Sequence, residues 1–135
     1  MGADMRLAPG AWEDRRLMAE WIYIIHPPRE HFAQTMTEAE QEVWGRHWQR
    51  VKRLYVAGRI ILVGPSLGDH NYGICIFEAD DEPSARAIME GDPTIAEGFA
   101  RGELQPYRVS LLRGRDEEWV KRDLAEDEPA PANGK

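Results

Sequence analysis

Two side chains in this sequence have the types and surroundings of an acid–base pair. His47 lies among Trp44, Trp48 and Val51, at the three- and four-residue steps that gather side chains on one face of a helix. Imidazole ionises near neutrality, so a histidine in such a place can take or give a proton under physiological conditions. A histidine on an apolar face is more often a satisfied core residue than a catalyst, and the partner decides: burial lowers its basicity, a neighbouring carboxylate raises it. Asp92 is the candidate partner. It precedes Pro93, the pattern of a helix N-cap followed by proline at the first helical position. A carboxylate has about four acceptor sites, enough to cap a helix and orient an imidazole together. Backbone donors also favour its ionised form, which suits an orienting role better than proton donation. The expectation is His47 as general base and Asp92 as orienter, in proton abstraction or hydration-type chemistry.

Other chemistry-bearing residues are less telling. Gly64, Pro65 and Ser66 have the composition of a turn, in which only the Ser66 hydroxyl is a candidate to bond a substrate. Asp69, His70 and Asn71 read as an exposed loop tip. The four histidines, His26, His31, His47 and His70, show no metal-ligand spacing and no cysteine pair accompanies them, so neither a metal nor a cofactor is expected. Cys75 stands in an apolar run with no cationic neighbour to activate it, and reads as a small buried hydrophobe. The glycines at 64 and 68 lack the lysine of a phosphate-binding loop. Trp44, Trp48, Tyr72 and Tyr107 would give a cleft an aromatic lining, or would simply fill a core.

The elements that must position these groups follow from punctuation and period. Residues 17–25 form a first strand, ended by His26-Pro27-Pro28 because consecutive prolines offer no N–H to a ladder. Thr37 and Glu40 have the reciprocal spacing of a capping box. A helix of about 20 residues starts there; its stripe is Val43, Trp44, His47, Trp48, Val51, Leu54 and Tyr55, and Gly58 ends it. Two apolar runs, 60–63 and 72–77, make a hairpin. Asp81 and Pro83 open a second helix with Ala85, Ile88 and Met89 inside. Asp92-Pro93 opens a short one through Phe99, and 104–113 is the last strand. The order is βαββαβ, an α+β, ferredoxin-like arrangement with both helices on one face of an antiparallel sheet.

The helical histidine, the Gly64-Pro65 that follows a strand and the Asp92-Pro93 that precedes a short helix occur in an order that resembles the YCII-related family, over roughly residues 21–113. The resemblance implies the same fold, a cleft lined by Gly64, Pro65 and Ser66 beside His47, and assembly of two sheets face to face as a dimeric α/β barrel. Burial reaches that assembly independently. Strands such as Trp21-Ile-Tyr-Ile-Ile and Ile74-Cys-Ile-Phe are apolar on both faces, two helices cover one, and a second copy would cover the other. Members of the superfamily range from isomerases and dehydrochlorinases to proteins without an assigned reaction, so the resemblance does not choose a reaction.

The chain's 135 residues fit one domain, expected over 17–113, with an N-terminal arm at 1–16. The acidic tail at 114–135 holds a turn or two of helix around Trp119 and is disordered beyond Ala125. A net charge of −7, from 24 acidic and 17 basic residues, argues against a nucleic-acid partner. No apolar run has the roughly 20 residues that span a bilayer. One cysteine and no secretory leader point to the cytoplasm. Two readings stay open: a small homodimeric enzyme with a His47/Asp92 dyad acting on a small ring or planar metabolite by proton abstraction, of lyase or isomerase type, or a non-enzymatic ligand-binding or assembly module.

Overall fold

The computed structural model describes residues 19–127. Strand β1 (Ala19–His26) leads through a one-turn helix α1 (Phe32–Thr35) to the long helix α2 (Glu38–Val56). The hairpin β2 (Ile60–Pro65) and β3 (Gly73–Ala79) follows, then α3 (Glu82–Glu90), α4 (Pro93–Ala96), β4 (Arg101–Tyr107) and α5 (Glu117–Asp127). The strands form one antiparallel sheet in the order β2-β3-β1-β4, which is the ferredoxin-like topology. None of the described helices is long and apolar enough to cross a membrane.

Strand β1 alternates as the pleat requires. Trp21, Tyr23 and Ile25 are buried, and with Cys75, Phe77 and Ala79 of the neighbouring strand they meet Val51 of α2 and Ala85 and Met89 of α3. Tyr23 pairs with Cys75 on one side and Leu104 on the other, so its ring stands in the centre of the sheet. The opposite face carries Ile22, Ile24, Ile74 and Ile76, all half-buried, and Leu62, which is exposed. Helices α2, α3 and α4 pack against the first face.

Helix α2 starts at a complete capping box: the Thr37 side chain accepts from Glu40 N, and Glu40 accepts from Thr37 N. It closes at Ala57, after which Gly58 takes φ +82°, a left-handed conformation that a side chain would strain. The apolar stripe is narrower than the sequence suggests. Val43 and Val51 are buried, whereas Trp48 and Tyr55 are 51% and 64% exposed.

Four elements differ from expectation. Helix α1 is an element the sequence pattern does not signal. The short helix after Asp92 ends at Ala96 rather than Phe99, and β4 occupies Arg101–Tyr107 rather than 104–113. The Trp119 segment is an 11-residue helix running to Asp127, so Glu126 and Asp127 belong to it and not to a disordered tail. The expectations for 1–16 and 128–135, and for Leu17 and Met18 of strand one, lie outside the described residues.

Candidate active site

The α3–α4 junction delivers Asp92. Its backbone is extended (φ −67°, ψ 126°), Pro93 follows at the first helical position, and the carboxylate caps the turn by accepting from Thr94 N at 3.0 Å. Gly91, the residue before it, packs against Arg50, whose Nη2 donates to Ile88 O at 2.9 Å. A Cβ on Gly91 would come within 2.8 Å of that same nitrogen and 3.1 Å of Ala87 O, so a side chain there would displace the Arg50 guanidinium from Ile88 O.

Asp92 is completely buried and its carboxylate is fully used. Oδ1 accepts from Thr94 N and from Thr94 Oγ1 at 2.7 Å, and Oδ2 accepts from Tyr23 Oη at 2.8 Å and meets His47 Nδ1 at 2.7 Å. Burial alone would push the pKa of this group up. The hydrogen bond and charge of His47, with the bonds from Thr94 and Tyr23, outweigh it and hold Asp92 below the usual carboxylate range. An ionised carboxylate only accepts, so the proton on this edge of the imidazole belongs to Nδ1. In the neutral ring that leaves Nε2 with the lone pair.

The His47 ring lines a cavity of about 280 Å³ roofed by α1 and α2 and floored by β1, β2 and β3. Its aromatic wall is Phe32, Trp44 and Trp48, with Phe32 and Trp44 centroids 4.5 Å apart. The short strap bearing α1 is fastened at both ends. Arg29 makes a two-pronged bond to Glu40, at 3.0 and 2.7 Å; the Arg29 hydrogen bonds first, and then the Thr37 N–H, lower Glu40 to about 2. On the other side Ala33 N donates to Asn71 Oδ1 at 2.9 Å, and His31 N to Asp69 O at 2.7 Å.

The sequence-based candidates divide accordingly. His47 and Asp92 meet, and Gly64, Pro65, Trp44 and Trp48 line the cavity with His47. Ser66 does not: its hydroxyl donates to His70 O and accepts from Tyr72 N, closing the β2–β3 loop. Tyr72 and Tyr107 are also absent from the cavity wall, Tyr72 lying against the His26 and His70 rings and Tyr107 being 43% exposed on β4. Cys75 is buried and forms part of the cavity floor; burial, and then the Asp92 charge, push its thiol up to about 12, which leaves it protonated and unreactive.

Tyr23, Thr94 and Asn71 were missed. A signal existed for Tyr23, since it sits at a core-facing position of β1 and a buried phenol must find a hydrogen-bond partner. Burial, and then Asp92, push that phenol far above its ordinary range, so it stays a donor.

A family model for the YCII-related domain matches residues 8–108. Among solved structures, the chain is similar to 5-chloro-2-hydroxyhydroquinone dehydrochlorinase (TftG) from Burkholderia phenoliruptrix AC1100, in complex with 2,5-dihydroxybenzoquinone. The TM-score is 0.50 at 18% identity, over 65% of this chain and 93% of that one, a likeness of fold. A comparison with curated protein sequences finds no significant match. With the family model covering most of its length and the ferredoxin-like sheet in place, the chain belongs to the YCII-related family.

Proposed function

We propose that the protein is a small acid–base enzyme in which His47 Nε2 removes a proton from a small molecule held in the cavity. The observation that carries this reading is the saturated Asp92 carboxylate: four hydrogen bonds hold it ionised and against Nδ1. As Nε2 takes the proton, the ring becomes an imidazolium whose positive charge faces a fixed carboxylate, with no reorganisation needed at that moment. Asp92 itself keeps its charge, because the hydrogen bonds donated by Tyr23 and Thr94 stabilise its ionised form. The electron pair left on the substrate then either returns to a different atom with the same proton, an isomerisation, or expels a neighbouring leaving group, a lyase-type elimination. The similar dehydrochlorinase, in complex with a small ring compound, is compatible with this class.

The working unit we propose is a homodimer joined through the sheet face opposite α2 and α3, where Ile22, Ile24, Ile74 and Ile76 are only half-buried; its setting is the cytoplasm, where a lone cysteine is ordinary. Light scattering should return twice the 15.5 kDa chain mass, and Ile76→Glu should lower it; a stable wild-type monomer removes the dimer.

The catalytic reading is tested with 2-indanone, an uncharged ring ketone with acidic C–H bonds beside the carbonyl. In heavy water the protein should accelerate deuterium uptake at those carbons, and His47→Gln should abolish the acceleration. Equal exchange with the wild type, the variant and buffer overturns the reading and favours a binding module.

A further inference from the structure

The cavity is defined as much by what its wall lacks as by what it holds. Among the described residues no lysine, arginine, aspartate or glutamate lines it, and its polar side chains are those of Tyr23, His47, Asn71 and Cys75, with the indole N–H groups of Trp44 and Trp48. Three of these are committed. Tyr23 donates to Asp92. Asn71 accepts from Ala33 N and donates to the Ser66 and Gly68 carbonyls, and the Cys75 thiol is a weak donor. The second nitrogen of His47 is thus the one strong acceptor left to a ligand among the described side chains of the wall, beside the indole N–H donors of Trp44 and Trp48. The cations nearby do not line the cavity: Arg29, 5.1 Å from the Phe32 ring centre, is held by Glu40; Lys52, 5.7 Å from the exposed Trp48 ring, is itself exposed; and Arg50, whose charge reaches Tyr23 and Cys75 from behind the wall, donates to Ile88 O.

We infer that, granting the acid–base reading, the substrate is an uncharged, planar, ring-containing molecule with one proton-yielding group, and that carboxylates and phosphates are rejected. A negative ligand would leave water for a wall with no countercharge among its described residues, a transfer costlier than that of a neutral ring. The anion would also lie near the buried Asp92 charge, which this site already holds behind His47. A flat ring, by contrast, finds the faces of Phe32, Trp44 and Trp48 to pack on. Size limits the choice further. An engineered apolar cavity of about 150 Å³ accommodates benzene, so about 280 Å³ accommodates a fused bicycle or a ring with a few substituents, in the range of roughly eleven non-hydrogen atoms. Larger conjugates, such as those carrying a nucleotide, do not fit inside.

The test compares two molecules of one skeleton, 2-indanone and indane-2-carboxylate, by calorimetry and quenching of tryptophan fluorescence at neutral pH. The ketone should bind saturably at millimolar concentration, and the carboxylate at least about thirtyfold more weakly; phenyl phosphate should behave like the carboxylate. Met36→Arg, which places a cation on the wall, should raise carboxylate affinity by a factor of ten or more. Comparable or tighter wild-type binding of the carboxylate overturns the inference, as does failure of the ketone to bind at all. His47→Gln keeps this result separate from the catalytic one: ketone binding within about threefold of wild type, with deuterium exchange lost, supports both. Selective ketone binding without exchange in the wild type removes the acid–base reading and leaves the ligand class standing.

Discussion

Replacing Asp92 by asparagine probes the site where it is most constrained. The carboxylate accepts on both oxygens: two Thr94 donors reach Oδ1, and Tyr23 and His47 reach Oδ2. Asparagine has one acceptor oxygen, and Thr94 keeps it, because a backbone N–H cannot reverse its role. The amide nitrogen then faces Tyr23 and His47. Since that nitrogen only donates, His47 Nδ1 must accept, and the ring proton moves to Nε2, the nitrogen the cavity needs as a base. Loss of a positioned general base lowers the rate by about 10²- to 10⁴-fold. For stability, a hydrogen bond to a charged group contributes about 1.5–3 kcal/mol against about 0.5–1.5 for a neutral one. Weakening four such bonds gives roughly 4 kcal/mol, which relief of the buried charge reduces. The expected net loss is about 1–3 kcal/mol, or a melting temperature lower by roughly 5–15 °C. Thermal unfolding and 2-indanone deuterium exchange measure the two effects. A folded Asp92→Asn protein that exchanges within about threefold of wild type would refute the assigned tautomer and with it the role of Asp92.

Two further outcomes follow from the same geometry. Tyr23→Phe removes one donor from Asp92 Oδ2 and leaves the His47 contact, so stability should fall by about 1.5–3 kcal/mol while exchange slows by less than in Asp92→Asn; a loss of activity equal to that of Asp92→Asn with unchanged stability would contradict a positioning role. Glu40, lowered from 4.5 to about 2 chiefly by Arg29, has a folded value below its unfolded one. Its contribution is therefore fully present above about pH 4.5 and is lost as the pH falls toward 2. The stability difference between wild type and Glu40→Gln, from denaturant unfolding, should be flat near neutrality and shrink in acid. A difference that does not change across that window contradicts the Arg29–Glu40 pairing.

Much of this arrangement was legible because it is local. The capping box at Thr37 and Glu40, the left-handed Gly58 and the Asp92-Pro93 cap each rest on contacts within a few residues. The pairing of His47 with Asp92, 45 residues apart, was accessible only because helix face and cap narrowed the candidates and the family resemblance pointed to the same two. Tyr23 was hidden by distance, a phenol in a run of isoleucines that only the assembled sheet brings to Asp92, whereas Thr94 bonds Asp92 from two residues away and was legible in the same Asp-Pro cap. Strand β4 was displaced toward the apolar Val109, Leu111 and Leu112, whereas register with β1, from Arg101 opposite His26 to Tyr107 opposite Glu20, decides the pairing. Pro106 is tolerated there because β4 is an edge strand. Ser66 looked like a ligand-binding hydroxyl, and the loop it closes consumed both of its hydrogen-bonding roles.

The central claim is that His47 presents an unprotonated Nε2 to the cavity because Asp92 holds the proton on Nδ1. Long-range proton–nitrogen correlation NMR of the neutral ring reads this directly. The account predicts a pyrrole-type Nδ1 and a pyridine-type Nε2, with only the Nε2 resonance moving strongly when 2-indanone is added. A ring protonated on Nε2, or one whose nitrogens ignore the ligand, would contradict it.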